Sequence, residues 1–195
     1  MPTEQRLRRL RGVLERRQDD VTVVLDNVHD AHNASAVLRS ADGFGVGRVA
    51  LLYTDHPTPT ISKGVSGYTR KWMTIDHYDD PAACVAALRV RGEQIVATHV
   101  EAGARSHLEI DWTRPVALVL GNEHEGCTAA MRAAADATVA IPMQGMAQSF
   151  NVSVAGAIIM AELYRQRAEQ GMYRPQWNEA KERLYRSWLA RETPC

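Results

Sequence analysis

The chain has 195 residues and a formal net charge of zero, so it is long enough for one domain with a substantial core and gives no bulk signal for a polyanionic partner. It contains no apolar run of the roughly eighteen residues that a membrane helix needs and no N-terminal signal segment, which predicts a soluble cytoplasmic protein without a membrane partner. Its three cysteines are far apart and form no C-x-x-C pair, which is typical of free thiols and argues against a zinc site.

The charges are unevenly distributed along this neutral chain. Arginines crowd residues 6–17, and further basic groups lie in residues 63–71 and 165–186, with acidic residues between these segments. A local basic patch can bind a polyanion, because phosphate contact depends on local charge and on the release of counterions. A solvated basic surface is the alternative, and the charge pattern leaves both readings open.

The first part of the chain predicts a helix, a strand and a second helix. Thr3 can cap the helix of a basic N-terminal arm over residues 1–20, in which leucines form a narrow apolar stripe. The β-branched run 21–25 predicts a first strand. The polar loop after it leads to Asn33, a candidate cap for a helix over residues 34–44 that glycines then end.

The remaining elements continue the alternation of strands and helices. Predicted strands lie at 48–53, 72–75, 94–99, 116–120 and 139–141, and predicted helices at 81–91, 128–135, 152–163 and 178–190. Crossover connections of this kind imply an α/β fold with a mainly parallel sheet and helices on both faces. One domain over residues 21–170 should carry this fold, and residues 171–195 should form a C-terminal helical extension.

Polar loops follow several of the predicted strands. Ligands of open parallel sheets bind beyond the carboxyl ends of the strands, so these loops should converge on one site. The loops in question follow Leu25, His99, Leu120 and Ile141. No G-x-G-x-x-G follows the first strand and no Walker loop exists, which excludes the common nucleotide cradles. His29 and His32 have metal-like spacing but lack accompanying ligands, so we expect no metal.

A polar turn between a short strand and an apolar helix is the most unusual feature of the chain. Pro142 ends the strand, Gly145 permits a tight path, and Ser149 or Asn151 can cap the helix over residues 152–163. A helix that is apolar nearly all round must be buried, which would hold these polar groups beside a dry interior. For any single one of these residues, a capped core helix is the alternative.

Three segments resemble the ordered motifs of the SpoU branch of the SPOUT methyltransferases. They are the N-A-S-A-V-L-R segment at 33–39, the L-G-N-E-H-E-G segment at 120–126, and the strand end, turn and helix start at 141–155. The resemblance covers nearly the whole chain and implies a C-terminal trefoil knot that holds S-adenosyl-L-methionine. It also implies a homodimer that methylates a tRNA ribose 2′-hydroxyl, as do the family members that modify guanosine-18 of the D-loop. Another tRNA position, a ribosomal RNA site and non-catalytic RNA binding are the alternatives.

The resemblance implies site residues position by position, and it implies that a basic arm and tail clamp the tRNA. The catalytic residues would be Asn33, Arg39, Glu123, Ser149 and Asn151. The cofactor-binding residues would be Thr98, Leu120, Gly121, Asn122, Ile141, Met143, Ser149 and Asn151. The RNA-binding candidates are Arg8, Arg9, Arg11, His32, Lys71, Arg165 and Arg167.

Arg39 matches the arginine of the family's first motif. In the family, this arginine is usually assigned to activating the ribose hydroxyl. Arginine stays protonated in proteins, so we expect Arg39 to stabilise the developing alkoxide and to contact a substrate phosphate. Helical side chains lean toward the start of their helix, where Asn33 and Ser35 could fix the guanidinium group. The helix over residues 152–163 is expected to form the dimer face, which would explain its large apolar surface.

Overall fold

The computed structural model describes residues 2–55, 57–59, 69–100, 103–123 and 125–192. The strands in these ranges are β1 (Gln18–Asp26), β2 (Val46–Leu52), β3 (Thr74–Tyr78), β4 (Gln94–Thr98), β5 (Arg105–Ser106), β6 (Val116–Leu120) and β7 (Ala137–Ala140). The helices are α1 (Glu4–Arg16), α2 (Ala31–Gly43), α3 (Pro81–Val90), α4 (Ala129–Ala134), α5 (Val152–Glu169) and α6 (Glu179–Glu192). None of these helices has the length and hydropathy of a membrane span.

The seven described strands form one sheet in the spatial order β3-β2-β1-β6-β4-β7-β5, and each neighbouring pair is parallel. Successive strand residues point to opposite faces, so each strand contributes to two apolar cores. Val23 and Leu25 of β1 pack on the face that holds α2 and α5, whereas Val24 packs on the face that holds α3 and α4. The predicted α/β fold, with a parallel sheet and helices on both faces, is therefore confirmed.

Two of the differences from the prediction have a local cause. The second helix begins at Ala31, because Asp30 caps it and accepts a hydrogen bond from a backbone amide of the first turn at 2.8 Å. Asn33 is therefore not the cap and lies within the first turn of α2. The strand predicted at 72–75 begins at Thr74 instead, because Thr69–Trp72 forms a 3-10 turn.

The terminal helices α1 and α6 pack against each other around Leu10, Leu14 and Trp188, which are all buried. Buried cations fasten this helix pair to the sheet. The Lys181 ammonium donates to the Arg17 carbonyl at 3.0 Å, and the Arg17 guanidinium donates to a β2 carbonyl at 2.7 Å. The basic N-terminal segment is thus docked on the body of the protein, and part of its charge is used inside the fold.

Arg167 on α5 is a completely buried structural cation. Its guanidinium group bonds both carboxylate oxygens of Asp20, at 2.6 and 3.2 Å, and donates to the carbonyl oxygens of Trp112 and Arg114. The side chain has no accessible surface, so its prediction as an RNA contact is wrong. The run of basic residues in the sequence could not show that Arg167 is buried, because the hydrogen-bond partners of Arg167 come from distant parts of the chain.

Replacing Arg167 with methionine should lower the free energy of unfolding by about 3 kcal/mol, because two carbonyl groups and the Asp20 carboxylate lose their donors. Arg165→Met is the matched control, since Arg165 lies two positions earlier on α5 with an exposed side chain. It should change the stability little. Urea denaturation measures both effects, and equal losses for the two variants would contradict the structural role of Arg167.

Candidate active site

A cleft of about 470 Å³ opens beyond the carboxyl ends of β4, β6 and β7. These strands are neighbours in a parallel sheet, so the loops that follow them meet at one edge. The residues that the motif resemblance implies for the cofactor all line this cleft: Thr98, Leu120, Gly121, Asn122, Ile141, Met143, Ser149 and Asn151. The volume lies within the range of small-molecule sites in proteins.

The loop after β6 makes a tight return that glycine alone permits. The Asn122 amide donates to the Gly126 carbonyl, and the Gly126 amide donates to the Asn122 carbonyl, both at 3.0 Å. A Cβ atom on Gly121 would lie 2.1 Å from the backbone of Gly126 and Cys127, well inside contact distance. Gly126 itself has φ +72°, a left-handed conformation that favours glycine. This return brings Asn122 and Glu123 to the wall of the cleft.

Three of the predicted catalytic side chains form one hydrogen-bonded chain. Asn33 Nδ2 donates to Glu123 Oε1 at 2.8 Å, and Asn151 Nδ2 donates to Asn33 Oδ1 at 3.0 Å. Asn151 also caps α5, accepting from the Ser153 amide at 2.9 Å, which confirms its predicted capping role. The chain joins α2, the loop after β6 and the start of α5, although the bonded residues are 90 and 118 positions apart.

Two buried groups that lie outside the three sequence motifs support the loops of the cleft. Asp26 at the end of β1 accepts from the Thr128 amide at 2.7 Å, and burial raises the pKa of its carboxyl group. The Cys127 thiol donates to the Thr98 carbonyl at 3.2 Å, and burial raises the pKa of the thiol to about 12. The position of a carboxylate at the end of an apolar strand is a sequence signal that could have indicated a role for Asp26. No pattern in the sequence marks Cys127.

The loop after β1 is held in place by side chains from two strand ends. The Tyr53 hydroxyl donates to the Val28 carbonyl at 2.8 Å. Asn27, which has φ 51°, exchanges two hydrogen bonds with Thr54, at 2.9 and 3.0 Å. Burial, together with the negative charge of Glu123, raises the pKa of Tyr53, so that its hydroxyl stays a neutral donor. The loop therefore presents α2, and with it Asn33, in a fixed position.

The turn that connects β7 to α5 is exposed in the single chain. Residues 144–151 are all exposed, and 40% of Phe150 is accessible to solvent. The expectation that Ser149 and Asn151 lie beside a dry interior is therefore wrong for one chain by itself. A turn at the edge of a sheet becomes buried only when a ligand or another chain binds over it. The hydrophobic pattern of one chain does not reveal such a partner.

Arg39 lies outside the cleft of its own chain. It is exposed on α2 and does not belong to the residues that line the cleft. The predicted contact of its guanidinium group with Asn33 and Ser35 is wrong. Asn33 bonds instead to Glu123 and Asn151, and the buried Ser35 hydroxyl has no hydrogen-bond partner among the described residues.

The other RNA-binding candidates lie on the surface. The exposed ones are Arg8, Arg9, Arg11, His32 and Arg165. Carboxylates accompany some of them, as where Arg165 bonds Glu162 at 2.7 Å and holds the pKa of that carboxyl group at about 2. Lys71 is half-buried and bonds Glu192 at 2.7 Å. In the part of the chain that the structure describes, no group of three or more side chains is arranged to hold a metal ion.

The parallel sheet, the return at Gly121 and the polar chain through Asn33 define an α/β protein with a ligand site at the carboxyl ends of its strands. A family model described as SpoU rRNA Methylase family matches residues 20–161. The chain belongs to this methyltransferase family. The resemblance of its three sequence motifs to SpoU methyltransferases is thereby confirmed.

The similarity to individual relatives extends beyond residues 20–161, which the family model matches. The tRNA (guanosine(18)-2'-O)-methyltransferase of Aquifex aeolicus is 41% identical over 187 residues, which are 95% of this chain and 89% of that protein. The crystal structure of the A. aeolicus TrmH/SpoU tRNA modifying enzyme has a TM-score of 0.91 at 40% identity, over 98% of both chains. The SpoU methyltransferase AviRb from Streptomyces viridochromogenes, solved in complex with AdoMet, has a TM-score of 0.66 at 25% identity, over 80% of this chain and 62% of that one.

Gly121→Ala should destabilise the protein by about 3 kcal/mol, because the added methyl group cannot fit without moving the backbone of the return. Gly12→Ala is the matched control, since a Cβ there meets only the end of the Arg16 side chain at 3.7 Å. Gly12 lies in the interior of α1, where alanine favours the helix more than glycine does, so the control substitution should stabilise the protein slightly. Thermal denaturation compares the two variants, and a Gly121→Ala protein as stable as wild type would show that the return can relax.

Proposed function

We propose that this protein transfers a methyl group from S-adenosyl-L-methionine to the ribose 2′-hydroxyl of guanosine-18 in the D-loop of tRNA. The observation that carries this proposal is the similarity, over nearly the whole chain, to relatives named tRNA (guanosine(18)-2'-O)-methyltransferase. The structural match to the A. aeolicus TrmH/SpoU tRNA modifying enzyme spans 98% of this chain, so it includes both terminal helices as well as the sheet. The match is therefore not limited to the cofactor domain.

The surface of the cleft suits S-adenosyl-L-methionine. Leu120 and Ile141 offer apolar contacts for an adenine ring, whereas Thr98, Asn122 and Ser149 offer polar groups for a ribose and an amino acid. The AviRb structure with AdoMet supports the same cofactor in this family. When bound, the cofactor supplies an electrophilic sulfonium methyl group. The family resemblance further supports a trefoil knot in which the segment from β7 through α5 threads a loop of the chain.

The polar chain through Asn33 would bind and orient the target ribose beside this cleft. Asn33, Glu123 and Asn151 restrain one another, so a hydroxyl that bonds to them is held in one place, and positioning supplies much of the rate of a transfer reaction. Ser149 adds a hydroxyl at the wall of the same cleft. The guanidinium group of Arg39 would stabilise the alkoxide as it develops and contact an RNA phosphate, and the proton would leave through phosphate or water.

A second copy of the chain would complete the site. Helix α5 exposes small, apolar and aromatic side chains at helical spacing, namely Val154, Ala161, Tyr164 and Ala168. This stripe follows the exposed turn 144–151, and an exposed stripe of apolar and aromatic side chains fits a two-fold interface. Helix α2 packs beside α5, and its exposed Arg39 is not among the residues that line the cleft of its own chain. We therefore assign Arg39 of the partner subunit to each cleft.

The tRNA would lie along basic side chains at the surface of the protein. These are Arg8, Arg9 and Arg11 on α1, His32 on α2, the half-buried Lys71 in the 3-10 turn before β3, and Arg165 on α5. Each phosphate contact makes binding more sensitive to salt, because it releases counterions from the RNA. Terminal helices that are docked on the sheet would present these cations as a fixed surface.

Transfer of a labelled methyl group to unmodified tRNA transcripts, followed by mapping of the modified ribose, tests the function. We expect one 2′-O-methylguanosine at position 18, and no transfer to a transcript that carries 2′-deoxyguanosine there. Modification of another tRNA position or of a ribosomal RNA fragment alone would favour those substrates instead. Failure to bind S-adenosyl-L-methionine in calorimetry would favour a non-catalytic RNA-binding protein.

Arg39→Ala should leave the affinity for S-adenosyl-L-methionine unchanged and slow single-turnover methylation by about 100-fold or more, because the alkoxide loses its charged donor. Calorimetry and rapid-quench kinetics measure the two quantities. Near-normal turnover with full tRNA binding would contradict the role of Arg39.

A mixing experiment tests which subunit supplies Arg39. Met143→Trp should fill the cleft and prevent cofactor binding while leaving Arg39 intact. Hybrid dimers of Arg39→Ala and Met143→Trp subunits should regain activity, because the open cleft of one subunit receives Arg39 from the other. If each chain used its own Arg39, the hybrids would stay inactive.

A further inference from the structure

A cluster of charged side chains joins α1, α6 and the 3-10 turn that precedes β3, and none of its members lines the cleft. The carboxylate of Glu192 accepts from Arg6 Nε at 2.8 Å and Nη2 at 3.2 Å, and from Lys71 Nζ at 2.7 Å. Both cations lie over the ring of Trp72, at 5.0 and 4.6 Å from its centroid. Glu192 therefore bridges two cations that come from α1 and from the 3-10 turn before β3.

The donors around Glu192 form a set that suits a phosphate group. A guanidinium that donates through two nitrogens, together with an ammonium, can bond phosphate oxygens as readily as carboxylate oxygens. The guanidinium group of Arg191 lies at the same corner, since it donates to the Lys71 carbonyl. Only 16% of the Glu192 side chain is accessible, but 34% of Arg6 and 37% of Lys71 remain open to solvent. An external anion can thus reach the cations beside the carboxylate.

Helix α6 does not itself hold Glu192 in this position. Glu192 is the last residue of the helix, where the partial negative charge of the helix terminus disfavours an acidic side chain. The last turn also has carbonyl groups without intrahelical partners, so it unwinds more easily than the interior. Trp188, which anchors α6 in its apolar cluster, lies one turn earlier. Glu192 can therefore leave the cations while α6 stays docked.

We propose that Arg6 and Lys71 form a binding site for a backbone phosphate of RNA, and that Glu192 occupies this site until the RNA displaces it. The inference rests on the proposed function, because it adds one contact to the surface on which tRNA would lie. In the free protein the carboxylate keeps both cations neutralised and ordered. A phosphate must compete with this internal anion, so the site favours RNA that other contacts have already aligned.

Glu192→Gln should bind tRNA about threefold to tenfold more tightly at low salt, because the phosphate no longer displaces a charged side chain. The gain should shrink as salt screens the cations. Glu179→Gln is the matched control, since it removes the same charge from the same helix at a side chain that is 97% exposed. Fluorescence anisotropy of labelled tRNA measures both, and thermal denaturation reports the loss of ion pairs.

Two further variants test whether the gain comes from this site. Adding Arg6→Ala or Lys71→Ala to Glu192→Gln should abolish the gain, since the partners of the phosphate are then removed. Inorganic phosphate serves as a probe for a free anion. Saturable binding of inorganic phosphate to Glu192→Gln with unchanged tRNA affinity would assign the site to a free anion and overturn the proposal.

The opposite sign of the effect would also overturn the proposal. If Glu192 only fastens α6 to α1, Glu192→Gln will melt at a lower temperature and bind tRNA equally or more weakly. An equal gain in Glu179→Gln would likewise trace the effect to net charge. A wild-type protein that does not bind tRNA would refute the proposed function itself, so the wild-type measurement distinguishes the two failures.

Discussion

The return of the chain at Gly121 is the constraint on which the arrangement of the site depends. No side chain fits between this residue and the backbone of Gly126, so the loop after β6 folds back on itself and brings Glu123 to the cleft. Glu123 receives the side-chain amide of Asn33, and Asn33 in turn receives that of Asn151. The first turns of α2 and α5 are thereby joined across the edge of the sheet, where the target ribose would bind.

Charge has two separate uses in this neutral chain. Arg17, Lys181 and Arg167 are buried, and they donate to backbone carbonyl groups that connect the terminal helices, α5 and the sheet. Arg8 and Arg9 lie on the surface of α1, where their charges face solvent. A protein without net charge can therefore offer local positive surface to RNA while other cations support the fold.

Hydrophobic periodicity was sufficient for the order and type of most elements, because it reports which face of each element is buried. The strand at 116–120 agrees with β6 at both ends, and the parallel α/β class follows from the alternation of elements. Periodicity did not reveal the short strand β5, whose two residues carry no pattern. The start of α2 was misjudged because Asp30 and Asn33 are both good caps, and only the bonded geometry distinguishes them.

For the site, the sequence by itself determined the family and candidate residues that line the cleft, because three ordered motifs place most of those candidates in loops that follow strands. The tertiary structure alone decided how the polar and charged side chains are used. It buried Arg167 against Asp20, left Arg39 outside its own cleft and joined Asn33 to Glu123. The physical reason is that a motif specifies residue types along the chain, whereas burial and hydrogen bonding depend on partners that the fold brings from distant positions.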